Sequence, residues 1–320
     1  MSVREALAVA SRREPVPAGL LEAAFGEIMD GKASPALIAG LLVALRTKGE
    51  TVDEIVAAAR ALRARAERAP LPDPRAIDTC GTGGDGAGTF NVSTAAAFVV
   101  AGAGIPVAKH GNRAATSRAG SADVLEALGV RADLPIERAA EIVREVGIGF
   151  LFARRAHPAM RHVAAVREEL GVRRQLVGVY ARELVEPLAR ALAALGAETA
   201  LVVHGDDGLD EITTTAGTDA ARWAGGRLES LRLDAAALGL PRARPEALAG
   251  GDARENARLV RGVLAGEHTP RRDIVLVNAA AALWLAGAGD LRAGLEQARD
   301  SIDSGAALAK LEALADATQR

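Results

Sequence analysis

The sequence predicts an α/β protein: a mostly parallel central sheet flanked by helices, preceded by a smaller all-helical domain. Three observations carry this. The first 67 residues show only helical periodicity, a proline-rich stretch follows, and short apolar runs then alternate with helical stretches. In the first part, "PAGLLEAAFGEIMDG" puts Leu20, Leu21, Ala24, Phe25 and Ile28 on one stripe. Ser34 precedes "PALIAGLLVALRTKG", which gives an N-cap, a proline at the first helical position and Gly49 as the stop. Thr51 and Glu54 form a capping box ahead of the next helix. "RAPLPDPRA" (68–76) reads as a linker that divides a helical domain, 1–67, from an α/β domain, 77–320.

Beyond the linker, the expected buried strands are Ala76–Asp78, Ile105–Ala108, Gly149–Phe152, Leu176–Tyr180 and Ala200–His204. Helical stretches lie between them: Ser93–Ala103, Ser121–Gly129, Pro135–Val146, His157–Leu170 and Arg182–Leu195. The tail, 252–318, is largely helical again.

Composition narrows the function. Of 320 residues, 49% are apolar and 25% charged, enough for a real core. A net charge of −2 gives no pull toward nucleic acid or anionic membrane, and 2% aromatics leave little for base stacking. The single cysteine, Cys80, excludes an internal disulfide and a cysteine-based zinc site, which fits a cytoplasmic protein. The start of the chain is charged and has no signal-peptide core. The longest apolar stretch, Ala95–Ala108, is too short to span a bilayer.

"DTCGTGGDGAGTFNVSTAAAF" (78–98) holds Gly81, Gly83, Gly84, Gly86 and Gly88 between a strand and a helix. Glycine lets a ligand approach the backbone, and the helix start offers free N–H groups to an anion. Asn91, Ser93 and Thr94 add side-chain donors. No Lys-Ser/Thr follows, so this is not a P-loop, and the glycine spacing makes a poor Rossmann fingerprint. Asp85 inside the loop would repel phosphate unless it binds a ribose hydroxyl or reaches a cation. A glycine-rich turn alone is weak evidence, and two further clusters strengthen it. Lys109, Asn112, Arg113, Ser117, Arg118 and Ser121 follow a strand. Asp206, Asp207, Asp210 and Glu211 follow another. Ligands of open α/β sheets bind outside such strand ends, so loop, cations and acids together suggest a magnesium–pyrophosphate substrate. Cys80 at a strand end reads as packing, and the five histidines show no metal-ligand spacing.

"GTGGD" (81–85), "TFNVST" (89–94), "KHGNRAATSRAGSADVLEALG" (109–129), "HPAMRHVAAVREELG" (157–171) and "GLDE" (208–211), in this order, resemble the anthranilate phosphoribosyltransferases of tryptophan biosynthesis. The resemblance covers nearly the whole chain. It implies a homodimer contacting through the helical domain, Mg²⁺ (two ions), and two small-molecule substrates, 5-phosphoribosyl 1-diphosphate (PRPP) and anthranilate. It implies no nucleic-acid or membrane partner. By position it assigns PRPP to Gly81, Gly84, Asp85, Thr89, Asn91, Val92, Ser93, Thr94, Lys109, Asn112, Arg113, Ser117 and Ser121. Anthranilate falls to Gly81, Asn112 and Arg173, with Arg174 competing for the arginine's role, and the metal to Ser93, Asp210 and Glu211. A pyrimidine nucleoside phosphorylase shares the architecture but would use free phosphate and would not need the acid pair for magnesium. A catalytically impaired relative that binds PRPP or nucleic acid is the other alternative. One departure stands out. The family carries a Gly-Pro-Leu-x-Asn-Pro-like segment before "RQLVGVY", part of the wall around anthranilate. Here "ELGVR" (169–173) runs directly into "RQLVGVY" (174–180).

Overall fold

The structure is a computed structural model that describes residues 1–65, 69, 71, 73–113, 118–152 and 171–320. Four helices come first: α1 (Ser2–Ser11), α2 (Ala18–Met29), α3 (Pro35–Lys48) and α4 (Val52–Arg63). Their ends follow the sequence chemistry. Ser34 accepts the Leu37 N–H, Gly49 closes α3 at φ 86°, and Thr51 and Glu54 form both halves of the capping box. Glu54 does more than cap. Its buried carboxylate also takes the Val16 N–H at 2.7 Å and Lys48 Nζ at 2.7 Å, tying three segments together.

The helix α4 is buried on almost every side. Ala57, Ala58, Ala61 and Leu62 belong to the core of the four helices. Ile55, Val56 and Ala59 instead join Val185, Leu188 and Leu192 of the helix that precedes the fifth strand. One helix therefore seats the helical part on the sheet.

The remaining elements are β1 (Ile77–Gly81), α5 (Val92–Gly102), β2 (Val107–Gly111), α6 (Ser121–Ala127), α7 (Ile136–Val146), β3 (Ile148–Phe152), β4 (Arg174–Gly178), α8 (Val185–Ala194), β5 (Thr199–Gly205), β6 (Thr218–Ala224), β7 (Arg227–Leu233), α9 (Ala253–Leu264), α10 (Pro270–Leu285), α11 (Leu291–Asp303) and α12 (Ala306–Gln319). All five expected strands are present, with β4 shifted two residues earlier than read. The expected helix His157–Leu170 lies outside the described residues, as does part of the linker.

The sheet runs β3-β2-β1-β4-β5-β6-β7. The first five strands are parallel. The chain lays down β1, β2 and β3 in one direction and returns to place β4 on the other side of β1. The gap between the C-terminal ends of β1 and β4 is thus the topological switch point, where open α/β sheets bind ligands. Alanine-rich α5 is buried along nearly its whole length in the main core. That burial fixes its N-terminus at this edge. The antiparallel hairpin β6–β7 was not foreseen; Gly225 and Gly226, both at positive φ, make its turn.

Candidate active site

At the switch point β1 and β4 end in register, Gly81 opposite Gly178, and the Thr82 N–H continues the pairing to the Gly178 carbonyl at 2.8 Å. The loop after β5 folds back onto both ends. A Cβ on Gly81 would lie 2.4 Å from Asp210 Oδ2, and one on Gly178 would lie 1.5 Å from the Asp210 carbonyl oxygen. Only glycine admits the acidic loop here.

That approach brings the acids to the glycine loop. Asp210 accepts the Gly83 N–H at 2.6 Å, and Glu211 accepts the Ser93 N–H at 3.0 Å in the first turn of α5. Lys109, buried at the end of β2, donates from Nζ to the Thr79 carbonyl at 2.6 Å and to Ser93 Oγ at 3.3 Å. Asp85 lies near Asp210. Burial, then the charge of Asp85, pushes Asp210 up to about 7. Burial, then Asp210, pushes Glu211 up to about 8, against the pull of Lys109. Three acids thus converge with one lysine beside them, so the region is short of positive charge.

Three side chains missed by the sequence reading hold these parts in place. Asn278, buried in α10, accepts the Ile212 N–H at 3.0 Å and donates to the Ile212 carbonyl at 2.8 Å, fixing the residue after the acid pair. Asn256, buried in α9, donates to Asn91 Oδ1 at 3.0 Å. An amide inside an otherwise apolar run, "VLVNAAAALWL", was the available signal for Asn278, since a buried polar group needs partners. Asp78 is a third. Its two oxygens take the His110 N–H at 3.0 Å and ring Nδ1 at 2.8 Å.

The structure gathers Gly81, Gly84, Asp85, Thr89, Asn91, Val92, Ser93, Thr94, Lys109, Asp210 and Glu211 around the glycine loop and the start of α5. Thr89 pairs as an isolated bridge with Ala249, and Val92 and Thr94 are buried. Asn112 and Ser121 form a unit next to β2: Ser121 Oγ accepts the Asn112 N–H at 3.1 Å and donates to its carbonyl at 3.3 Å. The Arg113 guanidinium is spent on Asp123 and Glu126 of α6. Ser117 lies outside the described residues.

Arg173 is not brought to this edge. It precedes β4, at the opposite end of the strand, and its Nε donates to the Gly196 carbonyl at 3.1 Å. Arg174 is beside it, bound to the Pro74 and Leu285 carbonyls and to Glu198. Four residue steps along β4, about 13 Å, separate Arg174 from Gly178, and Arg173 lies one step further. Neither arginine stands beside the glycine loop in this arrangement. The parallel strand carries the chain away from that edge at its N-terminal end.

Residues 73–308 match the glycosyl transferase family, a/b domain, and residues 6–66 match its helical bundle domain. The chain is 52% identical to the anthranilate phosphoribosyltransferase of Rubrobacter xylanophilus over 99% of its own length and 98% of that protein's. The 336 aligned positions exceed the 320 residues of this chain, so the relative carries residues without a counterpart here. Among solved structures, the anthranilate phosphoribosyltransferase of Thermus thermophilus superposes with a TM-score of 0.87 at 43% identity, covering 98% of this chain and 99% of that one. The Saccharomyces cerevisiae enzyme, solved with PRPP and Mg, superposes at 0.81 with 28% identity, covering 95% and 93%.

Proposed function

The chain belongs to the anthranilate phosphoribosyltransferase family, and from that membership we infer that it transfers the 5-phosphoribosyl group of PRPP to the amine of anthranilate, releasing pyrophosphate, in tryptophan biosynthesis. The observation that carries the reading onto this chain is the convergence of Asp210 and Glu211 on the glycine loop and the first turn of α5. The loop and helix supply N–H groups for a diphosphate, and the acids supply hard oxygens for the cation that accompanies it.

The residues present fit Mg²⁺. Asp85, Asp210 and Glu211 crowd together at a cost that a divalent cation relieves, and Ser93 Oγ lies beside them, within reach of Lys109. Asp210, Glu211 and Ser93 would hold the metal, and two ions are proposed. Bound there, Mg²⁺ neutralises charge building on the pyrophosphate leaving group.

The chain's own part is positional. The loop N–H groups and the start of α5 orient the diphosphate and stabilise its departure. Lys109, anchored on the Thr79 carbonyl, adds a fixed positive charge beside Ser93. The amine of anthranilate is neutral at pH 7 and attacks C1 directly, so alignment matters more than a strong base. Asn112 remains the proposed contact for anthranilate on this chain, together with the backbone of Gly81. Arg173, which the resemblance also assigns to anthranilate, lies at the other end of β4. The helical domain is proposed to form the homodimer contact, where Met29 and Val43 stand exposed.

The test follows the fall of anthranilate fluorescence with PRPP and Mg²⁺, with and without EDTA. Metal-dependent loss is expected. No loss under saturating PRPP would overturn the transferase reading.

A further inference from the structure

We propose that Asn256 is a positioning residue: it locks the amide of Asn91 so that the Asn91 NH₂ group, and never its carbonyl, faces the diphosphate of PRPP. The inference rests on the reading of the glycine loop as the diphosphate site.

Asn91 is the N-cap of α5, yet its side chain makes no capping hydrogen bond. An asparagine there ordinarily accepts an N–H from the first turn. Here the Ser93 N–H goes to Glu211 instead, and Asn91 Oδ1 turns to Asn256 Nδ2 at 3.0 Å. Asn256 is 2% exposed, and its own Oδ1 accepts the Gly251 N–H at 2.7 Å.

A backbone N–H can only donate, so it decides the orientation of every amide after it. Gly251 N–H fixes Oδ1 of Asn256, which turns Nδ2 of Asn256 toward Asn91. That in turn fixes Oδ1 of Asn91 and leaves its NH₂ as the outward group. Among the described residues, no hydrogen bond uses Asn91 Nδ2. An anion accepts only, so an NH₂ binds it and a carbonyl repels it.

The relay is held rigidly against the loop it serves. Gly250 N–H donates to the Gly88 carbonyl at 2.9 Å, and Phe90 N–H to the Leu248 carbonyl at 3.1 Å. A Cβ on Gly250 would sit 2.7 Å from Asn256 Oδ1 and 2.8 Å from the Phe90 backbone, which leaves no slack between the two segments.

The decisive variant is Asn256→Asp. It keeps the size of the side chain and the bond from Gly251, but offers Asn91 only an acceptor. Asn91 must then turn its NH₂ inward and its carbonyl toward the diphosphate. By calorimetry with PRPP and Mg²⁺, affinity should fall at least about tenfold. KM for PRPP should rise while KM for anthranilate stays put. Asn256→Ala merely frees the Asn91 amide, and its loss should be smaller, about threefold. A purely structural role predicts losses that follow the fall in melting temperature of each variant and raise the two KM values together, since a buried carboxylate also destabilises the fold. In an Asn91→Ala background neither substitution should reduce PRPP affinity further. If Asn256→Asp does not fold, the Asn256→Ala and Asn91→Ala pair decides alone through that non-additivity. Unchanged PRPP affinity in the Asn256 variants, or equal losses with and without Asn91, overturns the inference. Failure of the wild-type chain to bind PRPP overturns the reading beneath it as well.

Discussion

The two edges of one sheet use polar residues in opposite ways. At the N-terminal edge, Arg174 meets the Leu285 carbonyl at the end of α10 at 2.9 Å, Glu198 at 2.6 Å and the Pro74 carbonyl at 3.1 Å. Thr199 Oγ1 donates to the same Leu285 carbonyl, and Trp223 Nε1 to that of Ala197. Donors there meet acceptors, and the positive guanidinium sits where a helix C-terminus carries its negative end. At the C-terminal edge Asp85, Asp210 and Glu211 face one another, and the buried hydroxyls of Thr82 and Thr94 have no partner among the described residues. The first edge is met mostly by the chain itself, with Gln175 Oε1 at the start of β4 left buried without a partner among the described residues. The other is arranged for groups the chain does not contain.

The strongest way to break this comparison is to remove the acids. Asp210→Asn with Glu211→Gln should lower kcat/KM at least about a thousandfold, in the range of lost transition-state electrostatics. The same variant should melt no lower than wild type near pH 7.5, because it deletes repulsion. Near-normal turnover would take the carboxylates out of the mechanism. Next comes Gly178→Ala, whose new Cβ meets the Asp210 carbonyl. The acidic loop must move, so activity should drop roughly a hundredfold, since small displacements of positioned groups cost about that much. A variant with wild-type rates would show that the acid loop need not rest on β4.

The contrast also explains what the sequence could and could not disclose. Caps, strands and the glycine loop were legible because each is local: Thr51 and Glu54 are three residues apart, and glycines cluster where φ is positive. The acids were legible as a group following an apolar strand. Asn256 and Asn278 were not, because their meaning lies in partners 165 and 66 residues away. The position of Arg173 was not legible for a related reason. A junction of two motifs in sequence says nothing about which end of a strand it occupies, and here that end faces away. The hairpin β6–β7 escaped because β7 is half exposed and lacks a continuous apolar run.

The satisfied edge yields a smaller effect of a different kind. Arg174→Ala leaves the Leu285 and Pro74 carbonyls and Glu198 without this donor. It should cost about 1–3 kcal/mol of stability, read as a lower denaturant midpoint. The kcat of the folded enzyme should be unchanged. A selective loss of anthranilate affinity would restore this arginine to the site and undo the distinction between the edges.

The finest test is the pH dependence of stability in EDTA. Asp210 and Glu211 start from ordinary values of 3.8 and 4.5 and are raised to about 7 and about 8 in the folded chain. In the unfolded chain both ionise near pH 4, whereas the folded chain keeps their protons until pH 7–8. Between these limits the folded state binds more protons, so stability falls as pH rises, and the loss is complete above the folded values. Relative to Asp210→Asn/Glu211→Gln, the wild-type melting temperature should therefore drop by a few degrees between pH 5 and pH 8.5. Mg²⁺ with PRPP should remove most of that difference by favouring the ionised acids. Parallel pH curves for the two proteins would mean that the acids are not strained against one another, and that the two edges of the sheet differ less than their geometry indicates.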